Sequence, residues 1–197
     1  MWVILLLLII SLFLIACLVT GLPVLLIWIS KNAILRWTGF LILLAIGYAG
    51  FSIMSRMTLS ASSRLSNGNP ALLFLMLLFV PLLTLAVVVA YHSYRFLQTR
   101  HRLPMTCGFI ILLLVSITFL WLRLRARGIH YVNDHLGGLP SNPASVIFNK
   151  GWFNEYTYNL FFNGYSYILC ICIYLLAGSL MAVSRVLNRN LNDHAAK

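Results

Sequence analysis

Acidic residues are the scarcest feature of this sequence. Its 197 residues include only Asp134, Glu155 and Asp193 as acids, against fourteen lysines and arginines, and the formal charge is +11. A metal site with several carboxylate ligands therefore cannot be built, and we predict neither a bound metal nor another cofactor. The basic residues flank apolar blocks, where they meet anionic lipid headgroups, so nucleic acid is not an expected partner.

Cysteine pairs and catalytic motifs are also missing. The four cysteines form no C-x-x-C pair, which argues against a zinc site or a disulfide framework. Gly164-Tyr165-Ser166 lacks the final glycine of a nucleophile motif, and the sequence has no His-Glu-x-x-His and no phosphate-binding glycine loop. No ionisable residue lies deep in an apolar block, although coupled transporters usually need one. These absences count against an intramembrane enzyme and a coupled transporter.

Apolar residues make up 61% of the chain. They run in blocks that reach the roughly 20 residues needed for a helix to cross ~30 Å of hydrocarbon. We therefore predict an all-α polytopic protein of the cell membrane, with a single membrane domain over residues 1–197. The predicted spans cover residues 2–29, 37–54, 70–91, 104–122 and 165–183, and an outer loop covers residues 123–164.

The first apolar block has no charge from Trp2 to Ile29, and Pro23 lies near its far end. One long helix, tilted or kinked, fits this block better than a hairpin of two short helices. A secretory signal peptide is the rival interpretation. Against it, the block lacks a basic start and is longer than the apolar part of such peptides.

The loop 123–164 is the one long polar segment, and loops of this length are usually functional or disordered. Its many aromatic residues argue against disorder. Asn142 and Pro143 have the residue types of an N-cap and a first helical position, and they predict an interfacial helix between spans 4 and 5. Its expected membrane anchors are Trp152, Phe153 and Tyr156, because aromatic rings with polar edges favour the interface.

Three arginines alternate at the start of the loop: Arg123, Arg125 and Arg127. Arginine can bind phosphate through two parallel hydrogen bonds, so these residues are candidates for binding lipid phosphate. Ordinary snorkelling of long basic side chains at a helix end is the alternative.

The other polar candidates of the loop are His130, Asp134, His135, Asn154, Glu155 and Asn159. The first three lie close enough in sequence to bind a metal together. Their spacing matches no ligand motif with a known mechanism, so we favour a solvated turn that ends at Gly137 and Gly138.

The distribution of basic residues predicts the topology. With the N-terminus outside and the C-terminus in the cytoplasm, eight basic residues lie inside and six outside. The inner set is Lys31, Arg36, Arg95, Arg100, Arg102, Arg185, Arg189 and Lys197. The outer set is Arg56, Arg64, Arg123, Arg125, Arg127 and Lys150. The short basic loop 92–103 favours this orientation, because charge in long loops has less influence on membrane topology.

The long loop contains a recognisable series of short motifs. They are Arg127-Gly128, Gly138-Leu139-Pro140, Asn142-Pro143-Ala144, Phe148-Asn149, Phe153-Asn154-Glu155 and Asn159. This series resembles a segment of phosphoglycerol transferases of the lipoteichoic-acid-synthase type. In that family, an Arg-Gly pair after the last membrane helix is followed by Leu-Pro and then by Asn-Glu or Asn-Gln, with another Asn four residues later.

The sequence departs from that family in two ways. The family has a large extracytoplasmic sulfatase-like domain with a threonine nucleophile and a manganese site, whereas this chain enters another apolar block at Tyr165. The matching segment also follows the fourth predicted span and not the fifth. The resemblance therefore implies a membrane-only relative or a truncated derivative, and no catalytic residue of the family has a counterpart here.

These observations favour a non-enzymatic integral membrane protein of the bacterial cell envelope. Its expected role is accessory to the metabolism of anionic surface polymers or lipid headgroups, and its expected partners are anionic membrane lipids or another membrane protein. A small membrane carrier or channel component is the first alternative. A membrane enzyme that acts on lipid headgroups is the second.

Overall fold

The computed structural model describes residues 2–29, 31–62, 70–100 and 103–195. These ranges are mostly helical and contain no strand, which confirms the all-α fold. Its helices are α1 (Trp2–Ile29), α2 (Ala33–Arg56), α3 (Pro70–Arg100), α4 (Leu103–His135), α5 (Tyr158–Phe161) and α6 (Gly164–Ala195).

Among the described residues, four helices are long and apolar enough to cross a membrane, so the chain is an integral membrane protein. The four segments are Ala33–Arg56, Phe74–Gln98, Pro104–His135 and Gly164–Asn188. The first predicted span is a single helix of 28 residues and not a hairpin, with Pro23 inside it. At 1.5 Å per residue, such a helix is about 42 Å long. Its segment Cys17–Ile27 is apolar, and that α1 crosses the membrane remains a prediction.

Several helices extend beyond the predicted spans. Helix α3 continues to Arg100, through most of the predicted loop 92–103, and α4 continues to His135, so the non-helical part of the long loop begins at Leu136 rather than Arg123. Polar residues do not end a helix by themselves; α4 ends where Gly137 and Gly138 adopt positive φ angles of 74° and 120°. The Gly138 N–H donates to Val132 O at 3.1 Å, a bond typical of glycine-terminated helices.

The prediction of an interfacial helix that starts at Pro143 is wrong, because the chain forms turns there. Residues 139–157 form successive turns, and the only helix between α4 and α6 is the four-residue α5. Asn142 does act as a local cap, because its Oδ1 accepts from Ala144 N at 3.1 Å. The helix does not propagate, since Asn149 and Gly151 have φ angles of 58° and 75°.

The described chain divides into two compact units. The first comprises residues up to 85 together with 124–167. In this unit Asn32 caps the start of α2, because its Oδ1 accepts from Ile34 N at 2.9 Å, and α2 approaches α1 closely at Gly39. A Cβ added at Gly39 would lie 2.7 Å from Pro23 O, so only glycine allows this approach.

The second unit comprises residues 86–123 together with the described residues from 168 onward. Here α3 and α6 meet through small residues. Ser93 Oγ donates to Leu175 O at 3.0 Å and lies 3.1 Å from Ser179 Oγ, and Gly178 packs directly on the Ala90 carbonyl. Small residues that let backbones approach are typical of helix packing in membranes.

Candidate functional site

The polar connection between α4 and α6 folds into a small structured cap, which we call the polar cap and define as residues 136–163. Its apolar core consists of Val132 from α4 with Leu136, Ile147 and Tyr156, all buried. Because three of these residues come from the connection itself, the segment carries its own core and is not a loose loop.

The first half of the polar cap is fixed by Asn142 and Ser145. The Asn142 amide donates to Gly137 O at 3.1 Å, and the Ser145 hydroxyl is within hydrogen-bonding distance of both Leu136 O and Gly138 O. The same hydroxyl accepts from Ile147 N at 3.3 Å. These bonds fold the chain back over the end of α4, which places Ile147 in the core.

The second half is built around Thr157, which is completely buried. Its hydroxyl lies 2.7 Å from Trp152 O and accepts from Asn154 N at 3.0 Å. The Asn154 side chain accepts from Tyr156 N at 2.9 Å and donates to Gly151 O at 2.8 Å. Asn154, a sequence candidate for a binding site, is therefore used to shape the turn.

The polar cap is joined to the turn that follows α2. Leu59 N donates to Glu155 O at 2.9 Å, and Asn159 N donates to the Thr58 hydroxyl at 2.7 Å. The Asn159 side-chain Oδ1 is buried and has no hydrogen-bond partner among the described residues. The backbone N–H of Asn159 thus links the polar cap to the turn after α2, while its side-chain Oδ1 accepts no hydrogen bond from the described residues.

Glu155 forms an ion pair with Lys150, with 2.9 Å between Nζ and Oε1, and the Lys150 ammonium lies 4.5 Å from the centroid of the Tyr156 ring. The hydrogen bond to Glu155 raises the pKa of Lys150. Burial raises the pKa of Glu155, but the hydrogen bond from Lys150, a backbone hydrogen bond and the charge of Lys150 together outweigh it, so the pKa of Glu155 is lowered. The pair therefore supports the fold above the unfolded pKa of the carboxyl group and loses that effect as the pH falls.

The candidate residues His130, Asp134 and His135 lie on the last turns of α4 and not in a turn, which corrects the sequence interpretation. His130 Nδ1 is 3.0 Å from Asp134 Oδ2, and the His135 ring stacks on Tyr131 with 4.9 Å between ring centroids. The helix thus directs the two histidines into different contacts. Across the described ranges, no three His, Cys, Asp or Glu residues come together as a metal site would require.

Arg123, Arg125 and Arg127 also lie on α4, and all three are exposed. The Arg123 guanidinium lies 5.2 Å from the centroid of the Phe119 ring. Residues 104–122 cover about 28 Å at the helical rise, close to the ~30 Å thickness of the hydrocarbon core. The arginines therefore begin where the lipid headgroups are expected.

The three aromatic candidates have different environments. Trp152 and Phe153 are 45% and 48% exposed, whereas Tyr156 is 7% exposed and packs in the core of the polar cap. Only the first two are available to a membrane surface. The difference follows from the turn at Gly151, because a regular helix would have placed Phe153 and Tyr156 on neighbouring positions of one face.

Sequence reasoning did not single out Ser145, Thr157 and Asn163, the buried polar residues that shape the cap. Asn163 donates to Asn159 O and Leu160 O, each at 2.9 Å, and accepts from Ser166 N at 3.1 Å, so it caps the start of α6. The Asn163-Gly164 pair before the last apolar block could have indicated this cap, since Asn is a preferred N-cap residue.

No protein-family model matches this chain, and neither a curated protein nor a solved structure is significantly similar to it.

Proposed function

We propose that this integral membrane protein is a non-enzymatic component of the bacterial cell envelope that binds anionic lipid headgroups through α4. One observation carries the proposal: α4 runs without a break from its apolar span into a segment with three exposed arginines. A rigid helix holds these side chains at headgroup depth, where guanidinium groups can bind phosphate bidentately. The resemblance of the following segment to phosphoglycerol transferases supports a role accessory to anionic surface polymers.

The acids of this region support binding rather than phosphoryl chemistry. Asp134 is paired with His130, and Glu155 is paired with Lys150. Phosphoryl transfer needs a nucleophile and a metal with several ligands, besides stabilisation of the developing negative charge. The arginines can stabilise negative charge on a phosphate group, and a protein that only binds lipid headgroups needs this property as well.

The test is the affinity of the purified full-length protein for phosphatidylglycerol in nanodiscs, with phosphatidylcholine as the reference lipid. Replacing Arg123, Arg125 and Arg127 together by Gln should abolish the preference for phosphatidylglycerol. Each basic residue near the surface contributes about 1 kcal/mol, so each single Arg→Gln change should weaken binding about five-fold. The preference should also decline as salt concentration rises.

The matched control replaces the same three arginines by Lys. Lysine keeps the charge and can snorkel, but it lacks the planar fork that binds phosphate bidentately. The proposal expects this variant to keep the part of the preference that comes from charge and to lose the part that comes from bidentate binding, so its affinity should lie between those of the unmodified protein and the Gln variant. An unchanged preference in the triple Gln variant would show that the arginines only snorkel at the helix end.

A membrane enzyme acting on lipid headgroups is the second candidate, because His130, Asp134 and His135 lie within three turns of Arg127 on the same helix. Incubation with phosphatidylglycerol and manganese separates the two functions. We expect binding without release of diacylglycerol. Manganese-dependent release that disappears in His135→Ala would establish the enzyme instead.

A further inference from the structure

Two neighbouring parts of the polar cap expose aromatic rings. Trp152, Phe153 and Phe161 are 45%, 48% and 39% exposed, although rings of this size are usually covered in a folded protein. Phe153 and Phe161 meet edge to face with 5.2 Å between their centroids. We call these three residues the aromatic edge.

The aromatic edge is held firmly on the polar cap. The Phe153 ring also contacts the buried Tyr158 ring at 5.5 Å, and Trp152 O lies 2.7 Å from the Thr157 hydroxyl. Asn149 and Gly151, with their positive φ angles, turn the chain just before Trp152. The rings are therefore presented by fixed backbone, so their exposure is a property of the fold.

The chain places this edge at the boundary of the membrane. Phe161 lies three residues before Gly164, where the α6 span begins. Three residues of extended chain reach at most about 11 Å, so Phe161 lies within that distance of the span. Tyr165, in the first turn of α6, is also exposed. Exposed aromatic residues therefore lie on both sides of the point where the α6 span begins.

We infer that the polar cap rests on the bilayer, with Trp152, Phe153 and Phe161 inserted in the interfacial region of the lipids. Lipid is favoured over protein as the occupant because Phe161 lies only three residues before a helix that is apolar enough to cross the membrane. Trp is enriched at membrane interfaces, and Trp and Phe are typical of the buried face of interfacial segments. Tyr156 takes no part, since it packs inside the cap. The inference extends the lipid contact beyond the α4 arginines and does not depend on them.

The test measures the depth of spin labels in the full-length protein, reconstituted in vesicles of phosphatidylcholine and phosphatidylglycerol. Labels are attached to single cysteines at Phe153 and Phe161, with Ser141 as the exposed polar control and the native cysteines replaced. We expect positions 153 and 161 to collide with oxygen and to lose collisions with a water-soluble nickel chelate relative to position 141. Nickel accessibility equal to position 141 would overturn the inference.

Protection from both oxygen and nickel would also overturn the inference, because it would mean that a second copy or a partner protein covers the edge.

Brominated lipids give a second measurement that leaves the cap unaltered. They should quench the part of the tryptophan fluorescence that is lost in Trp152→Phe. In vesicles of phosphatidylcholine alone, insertion should persist in the triple Arg→Lys variant of α4, so failure of the arginine proposal remains distinguishable from failure of this one.

Discussion

At the scale of single residues, the polar cap depends on buried hydrogen-bonding side chains more than on its charges. Thr157 is 0% exposed and satisfies both the backbone around Trp152 and the N–H of Asn154. The Lys150–Glu155 pair is partly exposed, and exposed pairs contribute little to stability. A buried hydroxyl has no water to replace its partners, so its removal leaves those partners unsatisfied.

Thr157→Val should therefore loosen the polar cap. Valine has nearly the same shape but leaves Asn154 N without its acceptor, a loss of about 1–3 kcal/mol for a buried group. Hydrogen exchange of the backbone amides at residues 152–157 measures the effect. Thr157→Ser, which keeps the hydroxyl, is the control and should exchange more slowly than the valine variant. Equal exchange in the two variants would contradict a structural role for this hydroxyl.

At the scale of helices, hydrophobicity predicted the existence of the spans but not their ends. The apolar blocks define α2, α3, α4 and α6 because each must cover the hydrocarbon. The polar extensions of α3 and α4 were missed, since Arg and His are compatible with a helix and only Gly137 and Gly138 stop α4. The turns at residues 139–157 were missed because they depend on side-chain bonds from Asn142, Ser145 and Thr157, which have no periodicity.

The same limit applies to the candidate site. The arginines were recognisable from composition alone, and the structure keeps them exposed on one helix. The sequence alone offered no reason to exclude Asn154 and Tyr156 from contact with a ligand or the membrane, yet their side chains are turned into the cap. Which member of a polar or aromatic run faces outward depends on backbone angles such as those at Asn149 and Gly151, and these follow from long-range packing.

Helix contacts in the second unit give a prediction of their own. Gly178→Ala would place a Cβ against the Ala90 carbonyl, and a backbone group cannot move aside as a side-chain tip can. We expect a lower thermal midpoint in detergent, because α3 and α6 must separate. Gly108→Ala on α4 is the matched control, since nothing lies within 4 Å of its added Cβ. Equal midpoints in the two variants would show that this close approach is not needed for stability.

At the scale of the whole molecule, hydrogen bonds connect two segments that are far apart in sequence. Thr58 and Leu59, just after α2, bond to Asn159 and Glu155 of the polar cap. Segments that share hydrogen bonds must lie on the same side of a membrane, so the turn after α2 and the polar cap share a side in any insertion. The side itself follows only from the distribution of basic residues, which predicts that both are outside.

Single cysteines test this topology in intact cells, in a background without the native cysteines. Ser62 and Asn142, which are both exposed, should react with a membrane-impermeant thiol reagent, and Gln98 near the end of α3 should react only after the membrane is opened. The reason is that the short basic segment around Gln98 is retained in the cytoplasm. Reaction at Gln98 alone would reverse the topology and contradict the charge argument. Reaction at only one of Ser62 and Asn142 would contradict the hydrogen bonds that join the α2 turn to the polar cap, because their two segments would then lie on opposite sides.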